Sequence, residues 1–250
     1  MTLRIPSFVL AAAALPLALT LTACGDKTPN AAPSGAPAAK VAPPAGKAWS
    51  EVVSKTEEGG YRVGNPDAPI KLVEYGALSC SHCAEFAKES GDKLLNDYVA
   101  SGRVSYELRY FMLNAFDVPA SLLATCGATE AVIPLSEQFW AWQSNMFTNL
   151  QSAGDAKIQQ AATLPPAQRM QALAQLGGMT EFFAARGISR DQGAACLADT
   201  AKADALAKQT ETASTKDQVT GTPTFFINGA SVGTSDWATL EAKLQAAGAR

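Results

Sequence analysis

The 250-residue chain has one histidine, His82. That excludes metal sites built on several imidazoles, and Ser-His-Asp catalysis anywhere but beside His82. An excess of positive charge is also missing: 20 Lys and Arg face 23 Asp and Glu, for a net charge of −3. Such a balance offers no electrostatic footprint for nucleic acid, and none is expected as a partner. Cysteines number five, but only Cys80 and Cys83 form a Cys-x-x-Cys pair. With no second such pair, a tetrahedral zinc site has too few ligands, so neither a metal nor a cofactor is expected. Internal repeats are not visible. Apolar side chains, by contrast, are 47% of the chain, enough for a real core in one domain behind a leader, or in two small domains at most.

Residues 1–23 read as an export signal. Arg4 supplies a short positive start, and Val9 through Leu21 is almost wholly apolar yet short for a membrane span. The run ends in Leu21-Thr22-Ala23-Cys24, which resembles the bacterial lipoprotein box, in which the cysteine is lipidated and becomes the new N-terminus. Ordinary cleavage near the alanines and an uncleaved anchor are the alternatives. Each leaves the rest of the chain outside the cytoplasm, where disulfides can form. Residues 24–47 are rich in Ala, Pro, Gly and Ser and read as a disordered tether. At ~3.1 Å per residue it could reach roughly 70 Å. The folded domain is expected over residues 48–250.

Within that domain, Trp49 to Thr56 reads as a short helix or an edge segment, and Gly59-Gly60 and the run Gly64 to Pro69 as turns. Ile70–Tyr75 is a strand and is expected to be central. From His82 to about Ala100 the apolar positions follow a helical stripe, with a kink expected at Ser90-Gly91. Val104–Met112 alternates as a second strand. Five helical stretches follow: Pro119–Ala131, Leu135–Gln151, Asp155–Leu176, Thr180–Arg186 and Arg190–Glu211. Strands return at Thr224–Ile227 and Ala230–Val232, joined by Asn228-Gly229, a strong hairpin signal. Ser235 or Asp236 can cap a last helix carrying Trp237, Leu240 and Leu244.

Cys80-Ser81-His82-Cys83 thus falls where a strand passes into a helix. A sulfur at a helix N-terminus meets unpaired N–H groups and the positive end of the helix dipole, which lowers its pKa and makes it a nucleophile. The spacing lets Cys83 attack a mixed disulfide formed at Cys80. Half of a metal site and a structural disulfide are the bland alternatives. Thr222-Pro223 opens the returning strand, Asn228-Gly229 turns the hairpin, and the helical block separates the two halves. These features together resemble the DsbA-like thiol-disulfide oxidoreductases over residues 48–250. The resemblance implies an α/β thioredoxin fold with a helical insertion at about 115–215.

It also implies roles. Cys80 would be the exposed nucleophile and Cys83 the buried resolving thiol. His82 would donate to the Cys80 thiolate or place charge beside it; a solvated surface histidine is the alternative. Glu74 would lie buried behind the pair and move a proton to or from Cys83, unless it faces solvent. Pro223 would be cis, turning the Thr222 backbone toward an extended substrate; a trans proline at a strand start is the alternative. Cys126 and Cys196 would form a structural disulfide, as in some relatives; two buried thiols are the alternative. The implied activity is disulfide exchange with cysteine-containing proteins on the periplasmic side of a bacterial membrane, with a membrane redox partner and a lipid tether at Cys24. The oxidase of this family has proline where Ser81 stands, which leaves the oxidising strength open. Its isomerases carry an N-terminal dimerisation domain, for which residues 24–47 are too short. A monomeric oxidase is therefore expected, with a reductase, or a thioredoxin-like chaperone or metal-delivery factor, as the other readings.

Overall fold

The structure, a computed structural model, describes residues 1–2 and 36–250. The expected signal peptide, its Cys24 and most of the expected tether lie outside the described residues. The domain is built on a six-stranded sheet of β1 (Val53–Lys55), β2 (Tyr61–Gly64), β3 (Ile70–Gly76), β4 (Val104–Tyr110), β5 (Thr224–Ile227) and β6 (Ala230–Gly233). Their order is β1-β2-β4-β3-β5-β6. Strand β3 is central, parallel to β4 and antiparallel to β5. The β3-to-β4 crossover runs through helix α1 (Ser81–Lys93). A parallel pair needs such a crossover, and it carries the Cys80 motif at its first turn.

The alternation of β3 sorts its side chains between two faces. Ile70, Leu72 and Glu74 point one way and are buried, while Lys71 on the other face is exposed. Tyr75 is buried on that second face, in a small cluster with Phe111, Ala213 and Val219. The first face packs under α1 and α9 (Trp237–Ala246), where the Phe86 ring lies 4.5 Å from Phe225 and 6.1 Å from Trp237. Asp236 caps α9 by accepting from the Thr239 N–H at 2.8 Å. Helix α1 breaks where the sequence suggested, at Gly91, whose φ of 45° and ψ of −143° are not helical. A wide-turn segment, Leu94–Val99, then leads to β4. At the hairpin Asn228 and Gly229 take φ of 51° and 79°, the positive values a tight turn requires. Asn228 also anchors the turn to the sheet by accepting from Lys71 N–H at 2.8 Å.

The edge of the sheet and the helical block refine the sequence reading. Trp49 to Thr56 is both things it suggested, a 3-10 turn at Trp49–Glu51 and then edge strand β1. Strand β2 was hidden among turn residues, because only Tyr61 and Val63 mark its buried face. The helical block also contains more and shorter pieces: α2 (Asp117–Ala124), α3 (Val132–Ala153), α4 (Asp155–Ala162), α5 (Pro166–Leu176), α6 (Met179–Ala184), α7 (Arg190–Leu197) and α8 (Thr200–Lys216). The expected helix from Asp155 to Leu176 is divided by Pro165-Pro166, since proline disfavours helical backbone before it. The expected helix from Arg190 is divided at Asp199, which caps α8 by accepting from Lys202 N–H at 2.9 Å.

Four rings fill the centre of this block: Phe139 packs on Phe183 at 5.6 Å and Trp142 on Phe182 at 4.7 Å. Cys126 and Cys196 are joined in a disulfide that closes 70 residues of chain from the end of α2 through α3 to α7. On the chain-entropy account, a loop of that size stabilises the fold by about 4 kcal/mol. A Cys126→Ala/Cys196→Ala variant should therefore lose about that much in denaturant unfolding, and a loss below ~1 kcal/mol would show that the unfolded chain is not the state the bond acts on.

Candidate active site

Cys80 is the N-cap of α1, with extended backbone (φ −79°, ψ 119°), and its sulfur accepts from the Cys83 N–H at 3.4 Å. Across the sheet the Thr222 carbonyl lies 3.2 Å from the same sulfur. The Thr222–Pro223 bond is cis. The structure thus brings four of the expected residues together: Cys80, Cys83, Thr222 and Pro223. Cys80 is only 7% exposed, so the expected nucleophile is more covered than its place at a helix start suggested. Cys83, one turn deeper, is 0% exposed.

The two thiols are driven apart in acidity. Cys80 is lowered to about 5, chiefly because the Cys83 thiol hydrogen-bonds to it. The Thr222 side chain and the N–H groups of Cys83 and His82 add to this, and together they outweigh the cost of partial burial. Cys83 is pushed well above the ordinary thiol range by burial, by its hydrogen bond to Cys80 and by the charges of Glu74 and Cys80. One sulfur is a thiolate at neutral pH and the other keeps its proton, as an attacking and a resolving thiol require.

Glu74 is 0% exposed. The parity of β3 puts it on the face of Ile70 and Leu72, beneath Cys83. Burial raises its pKa to about 8, against the opposing hydrogen bond from Tyr106, whose hydroxyl donates to Oε2 at 2.7 Å. The Cys80 and Glu137 charges raise it further. Its Oε1 has no hydrogen-bond partner among the described residues. Glu74 therefore holds a proton at neutral pH. Glu137 on α3 is raised to about 7, by burial first and then by Asp92.

The thioredoxin family profile matches residues 56–246. The chain belongs to the thioredoxin family. It is similar to a protein-disulfide isomerase from Novosphingobium aromaticivorans, 32% identical over 75% of this chain and 96% of that one, with a TM-score of 0.71. Wolbachia pipientis alpha-DsbA1, 21% identical, shares the fold over 75% of this chain and 91% of its own, with a TM-score of 0.59. A Rickettsia conorii protein provisionally named a protein-disulfide oxidoreductase is 24% identical over 190 residues. The match covers 73% of this chain but only 58% of that relative's length.

Within this thioredoxin-family site His82 departs from expectation. It is exposed, and among the described residues its imidazole makes no hydrogen bond; its backbone N–H is what reaches the Cys80 sulfur. Cys126 and Cys196 lie in the helical block, bonded to each other and apart from the redox-motif cysteines. Among the described residues no three His, Cys, Asp or Glu side chains converge as a cation site needs. Two clefts of about 540 and 590 Å³ flank Tyr75 and Arg109 on the other sheet face and do not include Cys80. Sequence reading missed Tyr106, Asp117, Trp140 and Gln143. The parity of β4 marks Tyr106, which pairs with Leu72 on the buried face. Nothing local marks the other three, which reach the site only through tertiary packing.

These acidities give a direct expectation for the reduced protein. Alkylation of Cys80 should follow a midpoint near pH 5, while Cys83 should stay unmodified through neutral pH. The sign for stability is that of a depressed acid: the Cys80 contribution to the reduced fold is full above an ordinary thiol's pKa and is lost as pH falls through about 5. Mass mapping of the alkylated cysteine against pH checks this, and faster labelling of Cys83 than of Cys80 would reverse the assignment.

Proposed function

We propose that this protein catalyses thiol–disulfide exchange with cysteine-containing proteins through Cys80 and Cys83, chiefly as an oxidase. The observation that carries the reading is the opposed acidity of the pair. A thiolate held at the α1 start is stabilised in the reduced state, so the disulfide is the higher-energy form and tends to oxidise a client. In the oxidising direction a client thiolate attacks the Cys80 sulfur of the Cys80–Cys83 disulfide. The S–S bond breaks, its electron pair passes to the Cys83 sulfur, and the mixed client–Cys80 disulfide forms. Cys83 is a poor thiolate, so it takes a proton, and protonated Glu74 beneath it is the donor. A second client thiolate then attacks the client sulfur of the mixed disulfide. The client leaves with its disulfide, and Cys80 departs as a stable thiolate. Client dithiol and enzyme disulfide have exchanged two electrons.

In this reading an extended client segment pairs with the Thr222 backbone as an added strand, which the 3.2 Å approach of the Thr222 carbonyl to the Cys80 sulfur supports. Each turnover leaves a dithiol, so a partner must reoxidise it; a membrane redox protein suits an enzyme tethered through lipid at Cys24 on the periplasmic side. An oxidising compartment is supported by the Cys126–Cys196 disulfide. The enzyme works as a monomer in this reading.

The test is refolding of a reduced, unfolded protein of known disulfides. The wild type should form them, Cys80→Ser should be inactive, and reduced Cys83→Ser, given a disulfide-bonded client, should attack it through Cys80 and accumulate a client–Cys80 mixed disulfide. Activity retained in Cys80→Ser would sink the reading, and insulin reduction without any oxidation would make the protein a reductase. The anchor is tested separately: the mature protein's N-terminal residue should be a lipidated Cys24, and any other N-terminus removes the tether from the account.

A further inference from the structure

The segment Ala77–Cys80, which delivers the nucleophile, is bound from outside its own strand and helix. Trp140 on α3 donates from Nε1 to the Ala77 carbonyl at 3.0 Å. Gln143, one turn further along α3 and 4% exposed, donates from Nε2 to the Leu78 carbonyl at 2.7 Å and to the Cys80 carbonyl at 3.0 Å. From the opposite side comes Asp117 in the first turn of α2, 0% exposed. Its Oδ1 accepts from Ser79 N–H at 2.7 Å, and its Oδ2 from the Ser79 hydroxyl at 3.0 Å. The same Oδ2 accepts from the N–H groups of Leu113 and Asn114, both at 3.0 Å. Asn114 closes the ring by donating from Nδ2 to the Ser79 hydroxyl at 2.6 Å.

Two points separate this arrangement from ordinary core packing. A buried carboxylate is costly unless its oxygens are filled with donors. Here every bond that fills them comes either from Ser79, the residue before Cys80, or from the stretch that opens the helical block. The loop also sets the bond that the site depends on: the Cys83 N–H reaches the Cys80 sulfur at 3.4 Å only while the Cys80 backbone keeps its extended N-cap conformation. A rotation of that backbone turns the sulfur off the N–H direction, and a hydrogen bond weakens steeply as it bends.

We propose that Asp117 and Gln143 are positioning residues, a two-sided clamp by which the helical block holds the Cys80 sulfur within reach of the helix N–H groups. The clamp makes docking of the helical block a condition for the reactivity of Cys80. The proposal rests on the reading of Cys80 as the exchange nucleophile, but its test needs no disulfide substrate.

The experiment is the pH dependence of Cys80 alkylation in the reduced full chain, with the thermal midpoint measured on the same samples. In Asp117→Asn either orientation of the amide turns a donor against an N–H or O–H donor. Gln143→Met keeps length and removes both donors. Each should move the alkylation midpoint up by about one pH unit, about tenfold less thiolate on the acid limb. Ser79→Ala, which keeps the N–H to Oδ1, should move it in the same direction by less. Simple electrostatics predicts the reverse for Asp117→Asn, because removing a negative charge favours the thiolate. A midpoint that falls overturns the clamp, and so does an unchanged midpoint with a lowered thermal midpoint, the signature of a merely structural role. Should Asp117→Asn not fold, Gln143→Met and Ser79→Ala decide: an upward shift in Gln143→Met supports the clamp, and no shift in either overturns it.

Discussion

The hydrogen bonds that the first turn of α1 gives the Cys80 sulfur, from the Cys83 thiol above all and from the N–H groups beside it, are the constraint on which the rest of the site depends. A sulfur in that place is ionised at neutral pH, while Cys83, one turn deeper, is not. Cys80 caps the helix and accepts hydrogen bonds there, whereas Cys83 lies inside its first turn, buried and beside negative charge. The fold turns that difference into chemistry by placing a parallel crossover at the centre of the sheet, so that the end of β3 faces the opening turn of α1.

The opposite requirement governs Glu74. It is kept uncharged by burial, its pKa raised to about 8, and only one of its oxygens has a partner, Tyr106. Beneath a thiolate, a second negative charge would be repelled, and a neutral acid is tolerated. The proposed exchange uses both states at once: a charged sulfur at the surface end of the pair and a proton held at the buried end. The helical block takes part through Trp140, Gln143 and Asp117, which bind backbone groups of Ala77–Cys80, adding at the Ala77 and Cys80 carbonyls to the bonds these already accept from the Cys80 and Ala84 N–H groups.

Much of this was legible in the sequence, because it is written locally. The alternation of Ile70 to Tyr75, the cysteine spacing, the Gly91 break and the Asn228-Gly229 turn each act within a few residues, and the α/β fold with its helical insertion follows from their order. The burial of Glu74 was also available, since it has the parity of Ile70 and Leu72. Strand β2 was not, because a four-residue strand with two buried side chains is too short to show a period. Pro165-Pro166 and Asp199 were stop signals overridden by the helical stripes on either side. Asp117 and Gln143 could not be found at all: they lie 38 and 63 residues from the groups they bind, and only the docking of α2 and α3 brings them there. The hydrogen bond that His82 gives the Cys80 sulfur comes from its backbone, which any residue would supply.

The central claim is that the α1 start stabilises the reduced pair by holding Cys80 as a thiolate. The equilibrium of the Cys80–Cys83 couple against a glutathione buffer at pH 7 tests it most directly. The account predicts a reduction potential clearly less negative than the roughly −270 mV of thioredoxin. A potential at or below that value would contradict it.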